Sequence, residues 1–143
     1  MLPVDMPFLP VALLRRWVRN TLEQPEARIA LFVVDGVPQP TVCLLHREAA
    51  AFLTDAAEQK RFKLYPVLEE AAHALADRYG AALGQILLRW SWDETSARDL
   101  IAGQCGEKGF SEGQRSTSHL WFANLNTPEE FEEAQLHLDG LEP

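Results

Sequence analysis

The run Ile29-Ala-Leu-Phe-Val-Val34 constrains the fold more than any other part of the sequence. A continuous apolar stretch rich in β-branched residues suits a buried strand, because a strand with one wet face would alternate instead. Asp35-Gly36 follows as a turn signal, and Pro38 keeps the chain irregular. Thr41-Val-Cys-Leu-Leu45 is a second apolar run, expected to be a neighbouring strand.

Other elements alternate around this pair. Leu2-Pro-Val-Asp5 reads as the end of a strand, followed by a turn punctuated by Pro7 and Pro10. Pro10 suits the first helical position, and Val11, Leu13, Leu14, Trp17, Val18 and Leu22 keep helical spacing for about three turns. Alanine-rich sequence from Arg47 to Ala57 favours a helix, and Leu64 to Arg78 another, interrupted near its start by Pro66 and ended by Gly80 and Gly84. Gln85 to Trp92 reads as a strand, with Ile86, Leu88, Trp90 and Trp92 on one face. Residues 93–119, with glycines at 103, 106, 109 and 113, read as an irregular insertion holding a short helix near Ala97–Ala102. Leu120-Trp-Phe-Ala123 is expected to be a short strand. Thr127-Pro-Glu-Glu130 then opens the last helix as a capping box. The alternation predicts an α/β fold in a single domain over residues 1–143.

Composition excludes several functions. No apolar stretch approaches the ~20 residues of a membrane span, and the first residues lack a basic signal-peptide region. A cytoplasmic protein without a membrane partner is therefore expected. With 21 acidic against 13 basic residues the net charge is -8, which argues against a nucleic-acid partner. Cys43 and Cys105, far apart, form neither a metal nor a redox motif and read as inert thiols.

Four ordered segments carry a family resemblance: Val4-Asp5-Met6-Pro7-Phe8-Leu9-Pro10; Asp35-Gly36 with Gln39-Pro40-Thr41; Glu58-Gln59-Lys60-Arg61-Phe62; and Asn124-Leu125-Asn126-Thr127-Pro128-Glu129-Glu130-Phe131. Together they resemble the C-terminal part of the molybdenum cofactor guanylyltransferases, within the Rossmann-like nucleotidyltransferases. Met6 leans toward the guanylyl branch, since related cytidylyltransferases tend to carry Gln there. The resemblance implies an incomplete Rossmann-like three-layer sandwich and a transferase joining GTP to molybdopterin with Mg²⁺. Molybdenum-insertion proteins or molybdoenzymes would be its protein partners.

Asp5 is the expected metal ligand and catalytic residue. In open α/β sheets ligands sit beyond the carboxyl ends of strands, and a hard carboxylate suits Mg²⁺. The same aspartate could simply cap the turn into the helix. The resemblance puts Asn124 and Asn126 at the pterin, where amides offer both donors and acceptors, although Asn126-Thr127-Pro128 is also an ordinary helix start. Gln39 could line the pterin side of the cleft. Lys60 and Arg61, with Lys63, could meet the substrate phosphate or be solvated charges.

One family element has no counterpart here: the Leu-Ala-Gly-Gly-x-Ser-x-Arg loop that holds the triphosphate through its backbone N–H groups. Only four residues precede Asp5. The expectation is a chain inactive by itself and marginally stable, which pyrophosphate release from Mg-GTP and molybdopterin by the isolated chain would contradict. Two other readings stay open: a non-catalytic molybdopterin- or partner-binding module, and a cytidylyltransferase relative.

Overall fold

A computed structural model describes residues 5–93, 95 and 110–141. It is a mixed α/β structure whose described residues gather into two compact units: residues 18–91, and residues 5–17 with 92, 93, 95 and 110–141.

The expected three-turn helix is α1, Val11–Leu22. Leu13, Trp17 and Thr21 are its buried stripe at a spacing of four, and Arg15, Arg16 and Arg19 are exposed. Pro10 stands just ahead of the helix, and its carbonyl accepts from the Leu14 N–H at 3.1 Å.

In the first unit β1 (Ile29–Val34) and β2 (Val37–Leu45) form an antiparallel hairpin. The turn is the two residues Asp35 and Gly36, with φ of 48° and 80°. Positive φ at both positions is the primed geometry that follows the twist of paired strands, and Asp-Gly is a favoured pair for it. Strand β2 begins earlier than the sequence suggests and runs through Pro38 and Pro40. It does so by breaking register: Leu31 faces Cys43, the next residue Phe32 faces Gln39, and residues 40–42 go unmatched. Proline is tolerated there because β2 lies at the edge of the sheet order β2-β1-β3 among the described residues.

Helices α2 (Arg47–Glu58) and α3 (Leu64–Tyr79) pack on each other and on this hairpin. Ile29 and Leu31 enter one apolar cluster with Cys43, Ala49, Leu68, Ala72 and Leu75. Ala30 and Phe32, on the alternate face of β1, are buried as well. Burial on both faces is why β1 needs an unbroken apolar sequence.

Both helices end in the same motif. Lys60 donates to Ala57 O at 3.0 Å and Arg61 to Ala56 O at 2.8 Å; Gly80 donates to Asp77 O at 3.4 Å and Ala81 to Ala76 O at 3.0 Å. These crossed bonds close the helix through a left-handed residue, Lys60 at φ 58° in one case and Gly80 at φ 61° in the other.

The strand expected from Gln85 starts later. Leu83–Ile86 is a helical turn, α4, closed by the Gln85 side chain accepting from the Ala82 N–H at 2.9 Å. Strand β3 is Leu87–Trp92. From Leu88 onward its alternation is as read: Leu88 and Trp90 are half-buried, Trp92 is buried, and Arg89 and Ser91 are exposed.

The second unit corrects two expectations. Polar residues 111–118 read as loop, yet Glu112–Ser116 is a helix, α5, with Ser111 accepting from the Gln114 N–H at 3.0 Å and the Gln114 side chain returning to the Ser111 N–H at 2.9 Å. Leu120–Ala123 is no strand: Ser118–Leu120 is a 3-10 turn and Trp121 and Phe122 continue as turn. Trp121 explains the difference. Its ring is fully buried, stacked on Trp92 at 5.1 Å and beside Phe110 at 4.6 Å, and its indole N–H donates to Gln114 O at 2.9 Å. That bond ties the segment back onto the helix before it, where its backbone N–H groups donate locally, Leu120 to Thr117 O at 2.8 Å and Ala123 to Leu120 O at 2.9 Å, and leave no ladder to form. Helix α6 (Pro128–Ala134) and the 3-10 segment Gln135–Gly140 close the chain, α6 with the expected capping box. The short helix expected near residues 97–102 lies outside the described residues.

Candidate functional site

Two of the motif segments meet in the second unit. Asp5 follows into a turn in which Leu9 N donates to Met6 O at 3.3 Å, and burial of Met6 and Phe8 anchors that turn. The Asp5 carbonyl accepts from the Leu125 N–H at 2.9 Å. The backbone of Asp5 is thus fastened to the residue between Asn124 and Asn126, more than a hundred residues away in sequence. Asp5 is half-buried, whereas Asn124 and Asn126 are exposed.

The asparagine segment is held from its other end by α6. Glu130 accepts from the Asn126 N–H at 2.8 Å and from the Thr127 N–H at 2.9 Å, while its own N–H donates to Thr127 Oγ1 at 3.2 Å. The two backbone donors hold the Glu130 carboxyl below its ordinary range. The backbone of Asn126 is spent on the cap. The side-chain amides of Asn124 and Asn126 make no hydrogen bond among the described residues and face solvent. The backbone bond at Leu125 thus brings the chain at Asp5 to the segment that carries Asn124 and Asn126.

Mg²⁺ keeps most of its shell as water and substrate phosphate and takes one or two protein carboxylates. A single half-buried aspartate fits that demand. It would not fit a site built wholly from protein ligands, and among the described residues no group of three histidine, cysteine, aspartate or glutamate side chains gathers.

Gln39, Lys60 and Arg61 belong to the first unit. Gln39 sits at the register break of β2, its amide donating to Val37 O at 3.5 Å. Lys60 is the left-handed residue closing α2. Arg61 pairs with Glu70 across the following turn.

A polar cluster in the first unit had no signal in the sequence. Arg28 Nε donates to Glu48 Oε2 at 3.0 Å, the Tyr79 hydroxyl donates to Glu48 Oε1, and the Arg28 guanidinium lies 5.1 Å from the Tyr79 ring centre. The Tyr79 hydroxyl, and then Arg28 and His46, pull the Glu48 carboxyl below its ordinary value. His46 Nδ1 accepts from the Glu48 N–H at 3.4 Å as the cap of α2, and it also lies 3.2 Å from the Glu48 carboxylate. The two roles exclude each other at that atom: Nδ1 accepts from the Glu48 N–H only when it carries no proton, and donates to the carboxylate only when it does. Partners 20 and 31 residues apart form no motif, so only the fold reveals them. Burial, meanwhile, pushes the Cys43 thiol up, in line with an inert role; Cys105 lies outside the described residues.

No described helix is long and apolar enough to cross a membrane. Comparison with family models, with curated proteins and with solved structures returns no match.

Proposed function

We propose that this chain is the pterin-side portion of a molybdenum cofactor guanylyltransferase, with Asp5, Asn124 and Asn126 at its reacting end. The bond from the Leu125 N–H to the Asp5 carbonyl, 2.9 Å long, carries the reading. It brings together, through their backbones, the two most informative motif segments, which lie more than a hundred residues apart in sequence. In this reading the sheet is part of a Rossmann-like three-layer sandwich, and an antiparallel hairpin is compatible with a mixed sheet of that kind.

The chemistry is attack of a molybdopterin phosphate oxygen on the α-phosphorus of GTP, with pyrophosphate leaving. Mg²⁺ held at Asp5 supplies charge neutralisation for the phosphates. Asn124 and Asn126 orient the pterin, each amide offering a donor and an acceptor to a polar heterocycle. Holding the segment's backbone at Leu125 through Asp5 and at Asn126 and Thr127 through Glu130 lowers the ordering cost of binding. The glycine-rich triphosphate loop is not in this sequence, so the chain binds pterin better than it turns it over.

Calorimetric titration with molybdopterin, with and without Mg²⁺, tests this. Binding is expected, weakened about tenfold by Asn126→Ala, the scale of one or two lost hydrogen bonds. Asp5→Asn should remove the Mg²⁺ dependence while leaving the fold intact by circular dichroism. Absence of binding, or binding indifferent to Asn124→Ala, Asn126→Ala and Asp5→Asn alike, would overturn the reading.

A further inference from the structure

The two most exposed aromatic side chains among the described large hydrophobics sit in opposite charge environments. Phe62, 80% exposed, projects from the turn between α2 and α3, with Lys60, Arg61 and Lys63 around it. Phe131, 57% exposed, lies on α6 with glutamates at 129, 130, 132 and 133. Arg61 is already paired with Glu70, and Glu130 is committed to its cap. Lys63, Glu132 and Glu133 are exposed and enter no described ion pair. Leu136 and Leu138, in the 3-10 segment that follows α6, are exposed as well.

We infer that the chain associates with a second copy of itself, the Phe62 turn of one copy seated on α6 of the other. Charge complementarity argues for this occupant, since one sequence carries a base-flanked and an acid-flanked phenylalanine. The contact pairs two different patches, one from each copy. Both aromatic rings leave water, as exposed apolar patches favour. The turn is held by the crossed hydrogen bonds that end α2, so docking orders little that is loose. Opposite charges set orientation and partner choice more than strength, which makes the association weak and salt-sensitive. The inference does not rest on the transferase reading.

Sedimentation velocity on the full chain at about 100 μM, at low salt and at about 0.5 M salt, tests the contact. At low salt the mass should rise from 16.1 kDa toward twice that value, and high salt should return it to the monomer. Lys63→Glu, Glu132→Lys/Glu133→Lys and Phe62→Ser should each remain monomeric, with unchanged circular dichroism. Mixing the Lys63→Glu protein with the Glu132→Lys/Glu133→Lys protein should restore association, because the reversed turn then meets the reversed helix. A wild-type chain that stays monomeric at low salt, association that these variants leave intact, or a mixture that fails to pair would each overturn it.

Discussion

Lys60 and Gly80 occupy equivalent places, each the left-handed residue that closes a helix by crossed hydrogen bonds. Glycine bears that conformation without the steric cost a side chain meets, which is about 1 kcal/mol. Lys60→Gly should therefore stabilise the chain slightly, by about 0.5 kcal/mol at most once the added freedom of the unfolded chain is subtracted. Gly80→Ala should destabilise it by about the same amount. Urea midpoints of the two variants, measured together, check the pair. A Lys60→Gly protein no more stable than wild type would mean that the lysine side chain offsets its backbone strain through a contact of its own. The glycine at 80 was legible as a helix end. Nothing in Glu58-Gln59-Lys60-Arg61 announces that a lysine closes the helix before it.

At the scale of elements, the second unit depends on close approach between α5 and the last 3-10 segment. A Cβ built on Gly113 would lie 2.0 Å from the Asp139 carbonyl oxygen, and one on Gly140 would lie 2.3 Å from Thr117 Oγ1. The obstacle at Gly113 is backbone, which cannot rotate away. Gly113→Ala should cost about 2–3 kcal/mol, the upper part of the range for overpacking, and shift the denaturation midpoint accordingly. Gly113 was legible only as a loop glycine, because its reason is a neighbour 26 residues further on. The same limit explains Trp121. Leu-Trp-Phe-Ala has strand propensity, but an indole N–H that finds the Gln114 carbonyl overrides it. By contrast, β1, α1 and α6 followed from sequence, since their signals are an apolar run, an apolar stripe of period near 3.6 and a local cap. Pro38 and Pro40 hid the first part of β2, because sequence does not show that a strand will be an edge. Asp5 and Asn126 were legible as candidates, and the bond that joins their segments was not.

For the molecule as a whole, acid should be destabilising in an assignable way. Glu48 is held down by Tyr79, Arg28 and His46, and Glu130 by the N–H groups of Asn126 and Thr127. Each carboxyl ionises more readily folded than unfolded. Its contribution is complete above the ordinary carboxylate value of 4.5. It is lost as pH falls from there through the lowered folded value. Thermal stability should decline across that window, and Glu48→Gln should flatten the decline even if it lowers stability at neutral pH. A variant with an unchanged acid slope would show that other carboxyls govern it. The chain passes its isoelectric point near 4.9 before that window begins, so within it the net charge is positive and grows, and self-repulsion adds to the loss of these paired carboxylates.

The turn that closes α2 has one more consequence. The bonds after Lys60, Arg61 and Lys63 are all trypsin sites on exposed residues, yet their backbone is pinned by the helix cap and by the start of α3. Cutting there must wait for a local opening of the turn. Once cut, α2 and α3 would still share an apolar cluster to which Ala49, Phe52 and Leu53 contribute on one side and Leu68, Ala71 and Leu75 on the other. The nicked chain would run as one body in native buffer and part into two fragments only in denaturant, so that this turn is a seam at which the polypeptide can be divided without dismantling its fold.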